Sequence, residues 1–320
     1  AKRADIIIVA PATANFLAKI ANGLADDALS ATILASAAPV AVAPAMDGHM
    51  YENAATQENL SKLQSRGVVV IGPAEGYLAS GLRGVGRLVD TAQIIDSMCA
   101  IIGQNGDLSG KSIVVSAGGT QEPIDPVRVI TNHSSGKMGY AIAQAARDRG
   151  ARTILVTAPT SLPDPGGIEV RKASSVAQMR EAVLSACQGA DALIMAAAVS
   201  DYRPAEISEQ KIKKTDDSEG LVLNLVKNAD FFREVPEGVL RVGFAAESQD
   251  LLANAKKKLS EKNMSLIAAN DITAPDSGFN VDTNRVILID RDGGAEELPL
   301  LSKYEVGHRI LDRVVGLLSS

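Results

Sequence analysis

Short apolar runs rich in Val, Ile and Ala recur along this chain, separated by stretches whose apolar positions fall at helical spacing. Ile6 to Val9 predicts a buried strand. The chain then turns at Pro11 and enters a helix with Phe16, Leu17, Ile20 and Leu24 on one side. PVAVAPAM (39–46) and GVVVIGP (67–73) predict two more strands. Continuous β-branched runs between helices indicate a parallel sheet covered on both faces. Three strands are few for such a sheet, and the first comes almost at once. The expectation is therefore the C-terminal part of a larger doubly wound domain, incomplete at its N-terminus. IGQNGDLSG (102–110) reads as a linker with the boundary near 108, giving domains 1–107 and 108–320.

Beyond the linker, Ser112 to Ser116 predicts a strand and MGYAIAQAARDRGA an alanine-rich helix. Strands are expected over 152–159, 191–202, 239–248 and 265–271. Helices are expected around Met179, Ala182, Val183 and Ala186, over 251–264, and over 303–318. LVLNLVKNADFF alternates like an edge strand or hairpin, and RVILIDRDGGAEELPL turns at Gly293-Gly294. The predicted class is α/β: two Rossmann-like three-layer domains, the second with an added β-hairpin.

Candidate chemistry concentrates in residues 111–139. The strand ends in Gly118-Gly119-Thr120, and Pro123 and Pro126 hold the following loop extended. NHSSGKMG then opens a helix that Asn132, Ser134 or Ser135 can cap, while Gly136 and Gly139 allow close backbone approach. With no acidic residue in its first turn and Arg128 and Lys137 beside it, the stretch reads as a phosphate-binding strand–loop–helix. It is neither a Walker A loop nor a GxGxxG fingerprint. Three clusters accompany it. Lys211, Lys213 and Lys214 lie on a polar loop, where lysines are more often a solvated face. Lys258 and Lys262, beside Lys256 and Lys257, share a helix face where like charges repel and an anion would relieve them. Met195-Ala196-Ala197 ends a strand with small side chains. Asp201 beyond it reads equally as a Mg²⁺ ligand between phosphates or as a turn cap. In the first domain, PAMDGHMYEN (44–53) follows a strand's carboxyl end. GYLASGLRGVGRLVD (76–90), with four glycines, resembles a mobile flap, although a turn-rich connection explains either stretch.

Composition narrows the partners. Aromatics are 3%, Trp is absent and the net charge is −6, which opposes nucleic-acid binding. Cys99 and Cys187 stand alone, outside metal or CxxC spacing, as reduced thiols would. No run of about 18 apolar residues and no signal-like start occurs, so no membrane partner and a cytoplasmic location are expected. An NAD(P)-dependent oxidoreductase is a second reading of the same fold. It lacks GxGxxG after the strand at 112–116 and an acidic residue about 20 positions on.

PATANFLAKIANGLADD, PAM-x-G-x-MYEN, LASGLRGVGRL, GGTQEPIDPVRVITNHSSGKMGYAIA, AAAVSDYRP, KIKK, VKNADFF, VGFAAE and IAANDI follow one another in an order that closely resembles one family. It is that of the bacterial bifunctional phosphopantothenoylcysteine decarboxylase / phosphopantothenate–cysteine ligases of coenzyme A biosynthesis. The resemblance covers essentially the whole chain, apart from a missing N-terminal part of the decarboxylase. It implies that the second domain joins 4′-phosphopantothenate to L-cysteine with CTP and Mg²⁺, through an acyl-cytidylate. Lys211 would neutralise α-phosphate and acyl oxygens, Asn132 would hold the intermediate, and Arg128 would meet substrate phosphate. Met195, Ala196, Ala197 and Phe244 would cradle the cytosine. Ala229, Asp230, Phe231 and Phe232 would line the nucleotide site, with Lys258 and Lys262 on phosphate and Asp201 near ribose or metal. A homo-oligomer, at least a dimer through the ligase domain, is implied as well. The first domain resembles the FMN-dependent cysteine decarboxylases, with two departures. Asp47 stands where that family's loop most often has Asn, and Ser80 where its flap has the proton-donating Cys. A hydroxyl is a far weaker acid than a thiol, and an anionic Asp47 repels a substrate carboxylate. We therefore expect weak decarboxylation or none from this chain, or a first domain that serves only oligomerisation.

Overall fold

The computed structural model describes residues 3–213, 220–247, 251–271 and 281–319. Two compact units divide the chain, Ala1–Gln104 and Asn105–Ser320.

The first unit runs β1 (Ile7–Ala12), α1 (Ala14–Asn22), α2 (Ala28–Leu34), β2 (Val40–Pro44), α3 (Gly48–Glu52), α4 (Ala54–Ser65) and β3 (Val69–Val70). The three strands form a parallel sheet in the order β1-β2-β3. One face buries Val9, Val42, Leu17 and Leu63, and the other Ala41, Ala43 and Ile71. Both faces are thus covered, as the unbroken apolar runs require. Thr13 caps α1 by accepting from Phe16 N, and Asp27 forms a reciprocal capping box with Ser30 on α2. The glycine-rich stretch 76–90, expected as a loose flap, is largely an antiparallel hairpin, β4 (Ala74–Tyr77) with β5 (Arg83–Arg87). Alternate glycines there keep the backbone free to pair. Helix α5 (Thr91–Gly103) then runs into the stretch expected as linker, because Ile94 and Ile101 pack on the sheet.

The second unit continues through β6 (Ser112–Ala117), β7 (Gln121–Asp125), β8 (Arg128–Thr131), α6 (Lys137–Arg147), β9 (Arg152–Thr157), β10 (Glu169–Lys172), α7 (Val176–Ala186) and β11 (Ala192–Met195). There follow β12 (Tyr202–Pro204), β13 (Leu225–Lys227), a 3₁₀ turn Phe231–Glu234, β14 (Leu240–Glu247), α8 (Leu251–Glu261) and β15 (Leu266–Asp271). The chain ends with β16 (Thr283–Asn284), β17 (Val286–Asp290), β18 (Ala295–Glu297), β19 (Leu301–Ser302) and α9 (Lys303–Leu318). The main sheet has the order β10-β9-β6-β11-β14-β15-β17-β18; its first six strands are parallel, and the β17–β18 hairpin closes one side antiparallel. Alternate residues face alternate layers. Ile113 and Val115 meet Ile142 of α6 and Ile310 of α9, whereas Val114 and Leu193 meet Met179 and Val183 of α7. The proline-bearing loop after β6 is itself the β7–β8 hairpin, extended as the prolines predict. Order along the sheet reverses between β6 and β11. Such a switch point opens a crevice at the strands' carboxyl ends.

Candidate active site

The crevice at the β6/β11 switch is a cleft of about 600 Å³. Its mouth begins where Gly119 and Ala198 continue the two strands side by side, through Ala198 N to Gly118 O at 2.8 Å and Thr120 N to Ala198 O at 3.2 Å. Beyond that bridge the chains part. Asn132 Nδ2 spans the gap to Val199 O at 3.3 Å.

Helix α6 points its N-terminus into the cleft. Its cap is Gly136 at φ +77°, and the capping residue makes no side-chain hydrogen bond. The serines expected to cap sit just outside: Ser134 Oγ accepts from Gly136 N and Ser135 Oγ from Lys137 N, each at a long 3.4 Å. Only glycine takes this left-handed conformation without penalty, and a Cβ on Gly136 would lie 2.7 Å from Thr160 Cγ2. No acidic side chain occupies the first turn, so the helix end favours an anion.

Met195, Ala196 and Ala197 form one wall. Ser116 Oγ holds them by accepting from Ala197 N at 3.1 Å and donating to Met195 Sδ at 3.3 Å. Phe244 on β14 lines the cleft beside them. Asn228 Nδ2 donates to Ser200 O at 2.9 Å, and Asn228 N to Asp201 O at 2.8 Å, so the 228–232 segment folds over the strand end. Asp230 accepts from Phe232 N, and its other oxygen pairs with Lys262 Nζ at 3.1 Å. That ion pair offsets the Lys258–Lys262 repulsion. Ala229, Asp230, Phe231, Phe232, Lys258 and Lys262 all line the cleft, as does the exposed Asp201. Ser200 Oγ is buried and has no hydrogen-bond partner among the described residues.

Two expected members stand elsewhere. Lys211 and Arg128 do not line the cleft. They meet each other's segments instead: Arg128 Nη2 donates to Ile212 O at 2.9 Å, and the buried Asp125 accepts from Ile212 N and from Arg128 N. The loop carrying Lys211 is therefore tied to the β7–β8 hairpin, with Lys211 exposed. Lys214 lies outside the described residues.

The cleft also holds Asn270, Asn284 and Lys303, which the reading of the sequence left out. Lys303 opens α9, is 5% exposed and donates to Val281 O at 2.5 Å. Burial, then the charge of nearby Lys137, pulls its ammonium down to about 8, and Asp282 opposes this. Lys137 itself pairs with Asp282 at 2.7 Å. Ser302 and Glu305 form a reciprocal capping box at the start of α9, and Lys303 beside it turns into a cleft built by residues far away in the chain.

In the first unit, Ser80 Oγ donates to Asp47 Oδ2 at 2.6 Å. Asp47 also caps α3 through His49 N at 3.1 Å. Those two hydrogen bonds, the serine's first, hold its carboxyl below the usual carboxylate range, so it is an anion at neutral pH. The hairpin sits close to this loop: Met46 N donates to Gly86 O at 2.9 Å, and a Cβ on Gly86 would fall 2.2 Å from Met46 O.

Comparison with known proteins agrees with both units. The family model described as DNA/pantothenate metabolism flavoprotein C-terminal domain matches residues 108–318, and that of the flavoproteins matches 1–103. The coenzyme A biosynthesis bifunctional protein CoaBC of Bacillus subtilis (strain 168) is 47% identical over 98% of this chain and 78% of its own length. This chain belongs to that family. The Escherichia coli (strain K12) relative is 44% identical over 98% of this chain and 78% of its own length. A crystal structure of the C-terminal domain of CoaBC matches with TM-score 0.58 and 40% identity, covering 67% of this chain and 98% of that one. The chain is thus an enzyme of coenzyme A biosynthesis that joins a phosphopantothenate–cysteine ligase to a flavoprotein phosphopantothenoylcysteine decarboxylase. Membership replaces the NAD(P)-dependent reading of the fold. Among the described residues no helix is long and apolar enough to cross a membrane.

Proposed function

We propose that residues 108–320 ligate 4′-phosphopantothenate to L-cysteine in the cytoplasm, with CTP as the activating nucleotide and the cleft at the β6/β11 switch as the active site. The observation that carries the proposal is the convergence there of an open helix mouth, a small-residue wall and two lysines, Lys258 of α8 and Lys262 just past its end. The carboxylate of phosphopantothenate attacks the α-phosphorus of CTP, and pyrophosphate leaves with the broken P–O bond. The amine of cysteine then attacks the acyl carbon, CMP departs, and the amine gives up its proton. Both steps concentrate negative charge on oxygens, which preorganised cations and N–H donors stabilise. Lys258 and Lys262 neutralise phosphate, and the α6 N-terminus donates backbone N–H groups. Met195 to Ala197 and Phe244 hold the base, with Ala229 to Phe232 closing over it. Asn132, already spanning the cleft mouth, orients the acyl intermediate.

Asp201 would hold Mg²⁺ in the cleft, where the ion would supply positive charge to the nucleotide phosphates. Among the described residues no group of three acidic, His or Cys side chains exists to cage a metal, and this ion is commonly held by one or two carboxylates plus substrate phosphates. Arg128 and the neighbouring loop that carries Lys211, joined outside the cleft through Ile212 O, serve the cleft of a second copy in a homodimer. Exposed Val127 and Val129 on the same hairpin, and Leu225 and Val226 on β13, suit burial against that copy.

For residues 1–107 we propose decarboxylation at the carboxyl edge of β1 and β2 with FMN. The exposed Ala10 and Pro11 and the half-buried Ala45 leave a small-residue ledge there, on which a flat ring fits. The flavin, when bound, supplies two-electron oxidation and the returning reduction. This chain's residues serve the last proton transfer poorly. Ser80 already donates a hydrogen bond to Asp47, and the Asp47 anion repels a substrate carboxylate. The first unit therefore decarboxylates weakly.

The ligase proposal is tested by pyrophosphate release from CTP, phosphopantothenate and Mg²⁺, first without cysteine and then with it. Release should require phosphopantothenate and should fall in Lys258→Ala. Lys211→Ala should lose the first step. Asn132→Asp should accumulate acyl-cytidylate; unchanged turnover in all three variants would discard the assignment of the cleft.

A further inference from the structure

At the amino ends of β14 and β15, opposite the ligation cleft, lies a second cavity of about 490 Å³. Two arginines line it, and neither has an ion-pair partner among the described residues. Arg241 is only 9% exposed. Its Nη2 donates to Val235 O at 2.6 Å, and its Nε is buried with no hydrogen-bond partner among the described residues. Arg291 donates from Nη2 to Asn263 Oδ1 at 2.8 Å and from Nε to Met264 O at 3.4 Å. A buried guanidinium answered only by carbonyl dipoles is costly, and such an orphan in a native fold asks for a missing partner.

The backbone aligns these groups. Ser265 N bonds Arg241 O at 2.8 Å and Arg291 N bonds Ser265 O at 3.3 Å, so Arg241 in β14, Ser265 just before β15 and Arg291 just after β17 form a row across the sheet's end. Neighbours in such a row point to the same face, about 4.8 Å apart per strand. Two arginine forks flanking a serine can thus reach one group between them. Asn263, which holds Arg291, is the one described non-glycine residue with positive φ, at +50°. That conformation is the left-handed end of α8, with Met264 N bonded to Leu259 O at 2.9 Å, and asparagine is among the residues that adopt it there. Among the described residues no carboxylate is ion-paired with either arginine. The Cys187 thiol feels Arg241, yet burial pushes it up to about 12, so it stays neutral. Glu237, the one carboxylate in the lining, is exposed at the rim.

We propose that this cavity is an anion site in which Arg241 and Arg291 take an oxyanion group, phosphate or carboxylate, separate from the ligation cleft. Paired N–H forks match both groups, and Ser265 and Asn263 add polar contacts. The site does not depend on the ligation reading.

The test is melting of the full chain in phosphate, sulfate or acetate against chloride at equal ionic strength. Wild type and Lys258→Ala should both gain about 3–6 °C in the second unit's transition at ten times Kd. A gain with phosphate and sulfate alone identifies a tetrahedral ligand, and one with acetate a carboxylate. Arg291→Ala, an exposed position that should fold, should lose the gain while keeping the wild-type rate of pyrophosphate release. Arg241→Met should lose it too; should that variant not fold, Arg291→Ala decides alone. A full gain retained in Arg291→Ala, or no oxyanion exceeding chloride, overturns the proposal.

Discussion

The two units use the same place, the carboxyl edge of a parallel sheet, in different ways. The ligation cleft is assembled from many separated pieces of chain, among them the α6 mouth, the end of β11, the 228–232 segment, β14, α8 and the start of α9. The first unit brings its two chemically marked residues together across one hydrogen bond, Ser80 to Asp47, between a short helix cap and a hairpin. The cleft rests on a sheet with six parallel strands, the hairpin on three. The comparison teaches that the larger sheet gathers charged groups from distant segments into one cleft, as Lys262 of one segment meets Asp230 of another there. The smaller edge lets its polar groups satisfy one another, which leaves them less to offer a substrate.

Matched glycine substitutions stress the difference most. Gly139→Val would set a Cβ 2.6 Å from Ser116 O and Ala117 Cβ, against backbone that cannot yield, where α6 meets β6. The second unit's melting transition should be lost, and ligation with it. Gly86→Ala, whose Cβ would meet Met46 O, should only free the hairpin. We expect about 1–3 kcal/mol lost from the first unit, read by chemical denaturation with the second transition unmoved.

Next in size, Lys258→Ala should slow pyrophosphate release by roughly 10²–10³-fold. The double variant Asp47→Asn with Ser80→Cys should raise CO₂ release from phosphopantothenoylcysteine, on the order of 10²-fold for a restored proton donor. Strong release by the unaltered chain would remove the contrast drawn between the two edges.

A smaller effect comes from Lys303. Its ammonium titrates near 8 when folded and near 10.5 as a free side chain. Between those values the folded state binds fewer protons than the unfolded one, so this group's contribution to stability rises with pH. Lys303→Met should remove that rise between pH 8 and 10.5 in urea titrations. Near pH 8, nucleotide binding should also take up a proton in the wild type, seen as a buffer-dependent calorimetric heat that vanishes in the variant. Smallest is thiol labelling at pH 8: Cys187, held near 12, should stay unmodified until the chain unfolds.

Local patterns were legible where neighbours in sequence are neighbours in space. The α9 helix at 303–318, the Gly293-Gly294 hairpin and the strand from Ser112 follow from periodicity and turn residues. So does the anion-ready start of α6, although its cap is Gly136 rather than one of the flanking polar side chains. Less legible was the 76–90 stretch, whose glycines suggested looseness and whose backbone instead pairs as a hairpin. Asn284 and Lys303 stand in no marked stretch, and Asn228 and Asn270 lie in VKNADFF and IAANDI without a role assigned to them there; the tertiary structure brings all four to the cleft. Lys211 shows the reverse: its motif is conspicuous, yet Ile212 ties its loop to Asp125 and Arg128 outside the cleft.

From the sequence alone came the α/β class, the phosphate-ready glycine loop and the residue types of each cluster, because periodicity, capping and backbone freedom are local properties. Which clusters share a cleft was decided by the tertiary structure. The β6/β11 reversal joins segments more than a hundred residues apart, and the row at the ends of β14, β15 and β17 sets two arginines on either side of Ser265. Long-range pairing of strands carries that information, and no single stretch of chain contains it.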